Sequence, residues 1–229
     1  MAIGFNILNL AFRTDRKFVC AGNLASRGIP RKLVKFHQAI WGRDFSNSKE
    51  MWDAAADDGF PCLRGHWEDK PGSFCYIWGT LRIIRYIASD EFPYPFGYYN
   101  QDDRFLAIEY PELLDICQRL EASTPSFRML QLSPHTNIEL EGKTVSRVPG
   151  ISNVCDNIYK DGDSGLIFTK RGAEHFLKTF RSCPFWIEGL TVFKDNLGCF
   201  SVIEPIVVGG FVKWIENELQ DRIEIDSNE

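Results

Sequence analysis

Short apolar runs alternate with helical stretches through the first half of this 229-residue chain, and that alternation restricts the fold more than any other feature. Residues 4–10, GFNILNL, read as a buried strand. A polar turn, Arg13-Thr14-Asp15-Arg16, follows it. A helix is expected from about Arg16 to Arg27, with Gly28 as the residue after its C-terminus. Leu33 to Ile40 reads as a second strand, ended by Trp41-Gly42. Asn47 and Glu50 have capping-box spacing and predict a short helix to about Asp57. The clearest helix runs from Pro71 to about Ser89, with Phe74, Ile77, Trp78, Leu81, Ile84 and Ala88 on one face. An apolar and aromatic run, Phe92 to Tyr99, then forms another strand.

Further on, the pattern predicts a helix from Pro111 to Glu121 and a strand from Arg128 to Leu132. Residues 133–163 are rich in turn formers and read as short strands and loops. Gly165 to Thr169 is a strand and Lys170 to about Arg181 a helix. Another helix is expected within Pro184 to Lys194, a late strand at Cys199 to Ile203, and a bend at Gly209-Gly210. We expect one domain over residues 1–220 and an acidic tail over 221–229. Strands alternating with helices imply an α/β/α sandwich with a mostly parallel sheet, in which ligands bind beyond the carboxyl ends of the strands.

Two polar groups stand at such strand ends. Arg13, Asp15 and Arg16 follow the first strand, and Asp102-Asp103 follows Tyr98-Tyr99-Asn100-Gln101. Adjacent carboxylates at a strand exit can hold a hard divalent cation, whose remaining ligands a diphosphate can supply. Guanidinium groups match phosphate oxygens in a bidentate manner. If the two strands lie parallel in one sheet, both groups meet at one edge. Taken alone, Asp102-Asp103 also fits an acidic turn and the arginine loop a solvated one.

Charge and cysteine usage narrow the function classes. A net charge of -5 argues against a broad nucleic-acid-binding face. No apolar run approaches the roughly 20 residues of a membrane span. The seven cysteines are widely spaced and form no C-x-x-C, which fits reduced, buried thiols and a cytoplasmic location. The four histidines show no metal-ligand spacing. Trp78 is expected in the core, while Trp67 and Trp186 are the better candidates to face a bound ligand.

Several motifs together resemble glycosyltransferase family 25, the lipopolysaccharide-type glycosyltransferases. Asn9-Leu10, Arg13, Asp15-Arg16, then Gly28-Ile29, then Phe36, Ala39 and Gly42 are similar to the family's opening. Gly72 and Cys75 resemble a helix start of the family, and Gln101-Asp102-Asp103 lies where the family has E-D-D. Ser164-Gly165 through Gly172-Ala173 and Phe176-Leu177, and then Ile187-Glu188, follow its later motifs. The chain departs from the pattern at Trp78-Gly79 in place of Ser-His, at Gln101 in place of an acid, and at Glu188 in place of Asp. Compact relatives of this kind also occur in large DNA viruses.

The resemblance implies a GT-A-like, Rossmann-like fold and transfer of a sugar, with inversion, from a nucleotide diphosphate sugar, a UDP-sugar first, to a glycan or other hydroxyl acceptor. Mn2+ or Mg2+ is the implied cofactor, with Asp103 as its direct ligand and Asp102 sharing the ion or the ribose. Leu10, Arg13, Asp15 and Arg16 are expected on the donor nucleotide. Glu188 is the first candidate for the base and Asp163 the second, with Asp161 and Asp195 behind them. Two other classes stay open. One is a catalytically inactive GT-A-like domain binding sugar or protein. The other is a nucleotidyltransferase, against which the absence of glycine from Ala11 to Arg16 weighs.

Overall fold

The computed structural model describes residues 1–65, 70–134, 139, 145–158, 164–182 and 197–209. Its strands are β1 (Ile3–Asn9), β2 (Val34–Gln38), β3 (Phe96–Gln101), β4 (Arg104–Leu106), β5 (Met129–Gln131), β6 (Val154–Cys155), β7 (Leu166–Thr169), β8 (Cys199–Val202) and β9 (Val207–Gly209). Its α-helices are α1 (Thr14–Ser26), α2 (Ser48–Asp57), α3 (Pro71–Ala88), α4 (Tyr110–Ser123) and α5 (Lys170–Ser182). Seven strands form one sheet in the order β2-β1-β3-β7-β5-β8-β6, and β4 pairs with β9 in a small ribbon.

β1 pairs in parallel with β2 on one side and β3 on the other. β7 runs antiparallel to both β3 and β5, β8 runs parallel to β5, and β6 is reversed against β8. Five of the seven strands therefore point one way. Helices cover both faces, which makes the architecture an α/β/α sandwich with a mostly parallel sheet, as expected.

Alternation along the strands explains the two cores. Side chains one residue apart point to opposite faces of a sheet. Phe96 and Tyr98 of β3 join Ile3, Phe5 and Ile7 of β1 in the core shared with α1 and α4. Tyr99 of β3 and Leu8 of β1 enter the opposite core, shared with α2, α3 and α5. β1 is buried along its whole length. That is why its sequence reads as a continuous apolar run, as central parallel strands do.

Local signals act where the sequence placed them. Gly28 has φ +74°, the left-handed conformation that ends α1. The Asn47 side chain accepts from the Glu50 amide at 3.0 Å, and the Glu50 carboxylate accepts from the Ser46 amide at 2.8 Å. The six described cysteines are all free thiols, five of them buried. Two short strands escape sequence reading. β4 and β9 have three residues each, and Gly209, expected at a bend, sits in β9 beside the end of the Arg104 side chain. The helix expected within residues 184–194 and the tail 221–229 lie outside the described residues. Among the described residues no helix is long and apolar enough to cross a membrane.

Candidate active site

The strand order brings the two polar groups together. β1 and β3 are parallel neighbours with Leu8 opposite Gln101, so the residues just beyond them emerge at one edge. The Asp102 amide donates to the Leu8 carbonyl at 3.2 Å, which extends the ladder by one bond past β3. The turn after β1 closes with the Arg13 amide on the Leu10 carbonyl at 2.8 Å. Asn9 then ties the two loops together. Its Nδ2 donates to the Asp102 carboxylate at 2.6 Å and to the Arg13 carbonyl at 3.2 Å.

The carboxylates differ in setting. Asp102 is 7% exposed. Burial, reinforced by the charge of Asp103, pushes its carboxyl above the ordinary value, while the Asn9 bond and the nearby arginines pull the other way. Asp103 is more open, and one of its oxygens, Oδ1, is buried and accepts no hydrogen bond. Arg16 Nη1 lies 3.7 Å from Asp102 Oδ1 and 3.6 Å from Asp103 Oδ2. Arg104 Nε lies 3.9 Å from Asp103 Oδ1. Arg13 instead grips Asp15 with two bonds of 3.0 and 2.7 Å, which holds the Asp15 carboxyl at about 2.

These groups border a pocket of about 380 Å³. Its lining includes Arg16, Gln101, Asp102 and Asp103 together with the apolar residues Leu10, Ile40 and Trp41. Phe12 packs edge-on against Trp41 at 4.7 Å between ring centroids and is itself 56% exposed. Gln101 lies deeper. Its amide donates to the Tyr76 hydroxyl at 3.2 Å and to the Ser164 hydroxyl at 3.0 Å. Tyr99 bonds both Thr80, at 2.7 Å, and Tyr76, at 3.4 Å, so the residue in place of an acid is anchored in a polar network. A larger cavity of about 770 Å³ lies beside edge strand β2, bordered by His37, Arg82 and Tyr86, and shares Ala39 and Ile40 with this pocket. The smaller one contains the carboxylate pair, so it is where the chemistry is sought.

The donor set suits a hard cation on two carboxylates, with the rest of its shell supplied from outside the protein. Asp103 Oδ1 has acceptor capacity that no hydrogen bond uses, and a cation would offset the buried charge of Asp102. Among the described residues no group of three His, Cys, Asp or Glu side chains could hold a metal, so phosphate or water oxygens would have to complete the shell.

Of the residues singled out from sequence, Leu10, Arg16, Asp102 and Asp103 border the pocket directly, and Arg13 and Asp15 pair at the start of α1. Glu188, Asp163, Asp161, Asp195, Trp67 and Trp186 lie outside the described residues. Asn9, Trp41 and Tyr76 were missed as site residues. An asparagine at the end of an apolar strand was the available signal for Asn9. Nothing separated Trp41 from the core tryptophans, and Trp78 is indeed buried, donating to Asp58 at 2.7 Å.

No family model matches the sequence, and no curated protein matches it. Among solved structures, the chain is similar to a glycosyltransferase involved in the glycosylation of the major capsid of PBCV-1. That match has 13% identity and a TM-score of 0.38 and covers 84% of this chain and 75% of that one. The chain is also similar to the apo form of mouse xyloside xylosyltransferase 1, with 12% identity, a TM-score of 0.41, and coverage of 89% and 79% respectively. Both likenesses are distant.

Proposed function

We propose that this chain is a metal-dependent glycosyltransferase that binds a nucleotide diphosphate sugar in the pocket at the ends of β1 and β3. The observation that carries the reading is that Asp102 and Asp103, beyond β3, share one pocket with the apolar residues Leu10, Ile40 and Trp41. A nucleotide diphosphate has the matching division, with an apolar base face and an anionic diphosphate. Leu10, Ile40 and Trp41 would face the base, with uridine the first candidate.

Asp103 and Asp102 would hold Mn2+ or Mg2+. Bound there, the ion would supply charge stabilisation to the leaving diphosphate. The chain's own residues do the rest. Asn9 fixes the rotamer of Asp102 through its 2.6 Å bond. The acceptor hydroxyl forms the new bond to the anomeric carbon as the bond to the diphosphate oxygen breaks, and a carboxylate takes the hydroxyl proton. We assign that proton to Glu188 first and Asp163 second, with inversion at the anomeric centre.

Calorimetry with UDP, GDP, CDP and TDP, with and without Mn2+, tests the reading. Binding of one nucleotide that depends on Mn2+ and disappears in Asp103→Ala is the expected result. No binding of any of the four would overturn it. Glu188→Gln should lower turnover by about 100-fold and leave donor affinity intact, as loss of a general base does. Equal losses in both would remove Glu188 from that role. A second reading, a non-catalytic sugar-binding domain, is favoured by Gln101 being committed to Tyr76 and Ser164 where an acid is expected. Nucleotide binding without transfer or donor hydrolysis would select it.

A further inference from the structure

Residues 10–41 carry seven lysines and arginines against a single acid, Asp15, in a chain whose net charge is -5. Three of those cations stand beside carboxylates: Arg13 pairs with Asp15, Arg16 lies near Asp102 and Asp103, and Arg27 pairs with Glu109. The other four, Lys17, Arg31, Lys32 and Lys35, form no ion pair among the described residues. Three of these four, Lys17, Arg31 and Lys35, line a groove of about 800 Å³ bordered by α1, by β2 and by the turn that joins them. No acid is among its described lining residues.

Most of the remaining lining is apolar and includes Phe18, Leu24, Ile29, Val34 and Phe36. Leu24 and Ile29 are buried, whereas Phe18 is 80% exposed. Lys17 Nζ lies 5.2 Å from the centroid of the Phe36 ring, so charge and apolar surface adjoin. We infer that this groove is a docking site for an anionic lipid bilayer, with Phe18 entering the interface and Lys17, Arg31 and Lys35 meeting lipid phosphates.

The chemistry of the lining selects this occupant. A nucleic acid would satisfy the cations and leave Phe18 in water. An uncharged apolar surface would cover Phe18 and strip the cations of solvent with no compensation. An anionic bilayer supplies both complements, since it takes aromatic rings into its headgroup region and attracts each basic side chain held near its surface. That attraction falls off within roughly 10 Å, so acids elsewhere on the chain offset it little. The groove is separate from the donor pocket and the inference does not depend on the nucleotide reading. The two sites are nonetheless neighbours. Thr14 and Lys17 line the groove, and Arg16, in the same turn of α1, borders the pocket. Docking through the groove would hold the donor pocket close to the bilayer surface.

Cosedimentation of the full chain with vesicles, with no nucleotide or metal present, tests the inference. Vesicles of phosphatidylcholine mixed with phosphatidylglycerol are the anionic probe, and phosphatidylcholine alone is the neutral one. The chain should partition onto the anionic vesicles and not onto the neutral ones. Lys17→Gln and Arg31→Gln should each weaken that partitioning by about fivefold. Phe18→Ser should weaken it by about tenfold or more. Lys49→Gln removes an exposed cation of α2, outside the groove, and should leave it unchanged. Absence of binding to the anionic vesicles would overturn the inference. So would equal weakening by Lys49→Gln, which would reveal unspecific charge attraction, or undiminished binding of Phe18→Ser, which would show that the groove takes no part. Binding of monomeric oleate without binding of vesicles would assign the groove to a free fatty acid and overturn the bilayer. Thermal melts establish folding of each variant. Lys17, Phe18 and Arg31 are all exposed, and Arg31→Gln carries the charge test if Lys17→Gln does not fold.

Discussion

Asp102 occupies a setting that costs stability and suits a cation. Burial raises its carboxyl above the ordinary 3.8, so the folded chain takes up this proton at a higher pH than the unfolded chain does. The group's favourable contribution is thus complete below 3.8 and is lost as pH rises through the raised value. Near neutral pH the buried charge opposes folding, as functional groups often do. Asp102→Asn keeps the shape and can still accept from Asn9. We expect it to stabilise the protein at pH 7 by about 1 kcal/mol while abolishing Mn2+-dependent UDP binding. Denaturant unfolding at pH 7 checks the first half, and a loss of stability comparable to that of a core substitution would show that the charge is needed structurally. At this scale the sequence was informative about residue type. Asp102 and Asp103 were visible as a carboxylate pair at a strand exit, but their unequal burial depends on which chain segments lie above them.

Elements pack through close backbone approaches that short sequence windows do not display. Gly172, in the first turn of α5, faces Arg128, the residue before β5. A Cβ built there would lie 1.8 Å from the Arg128 carbonyl oxygen. That carbonyl already accepts from the Thr169 amide at 3.0 Å, where β7 passes into α5. The contact is backbone on backbone, so no side-chain rotation relieves it. Gly172→Ala should therefore destabilise by about 3 kcal/mol despite the higher helix propensity of alanine, which alone favours it by about 1 kcal/mol. A chemical-denaturation midpoint equal to or above wild type would contradict the packing. Strands β1, β2, β3, β5, β7 and β8 and all five α-helices were anticipated from period and capping residues. β4 and β9 were not, because neither stands out as an apolar run of its own and their pairing joins segments about a hundred residues apart.

Across the whole molecule, the seam between edge strand β2 and α3 sets a response to acid. His37 of β2 bonds Asn6 of β1 through Nε2 at 3.0 Å and faces the Tyr86 ring of α3. Burial, with the charges of Lys35 and Arg82 added, pushes its pKa from 6.5 down to about 4. The folded chain then holds His37 neutral in a range where the unfolded chain protonates it. Its contribution to stability is present above pH 6.5 and is lost as pH falls toward about 4. Thermal melts between pH 7 and 4 should show the decline, and His37→Gln should flatten its upper part. An identical slope in the variant would place the acid sensitivity elsewhere.

The amino-acid sequence by itself determined the α/β class, the positions of most elements, and the chemical character of the loops after β1 and β3, because these follow from local periodicity and from which residues stand at strand ends. Tertiary structure decided the rest. It set β1 beside β3, turned β7 against its neighbours, brought Leu10, Ile40 and Trp41 into one pocket with Asp102 and Asp103, and placed Arg16 beside both carboxylates. Each of these depends on segments distant in the chain sharing one packed edge, and burial, charge compensation and pocket shape exist only once that packing is formed.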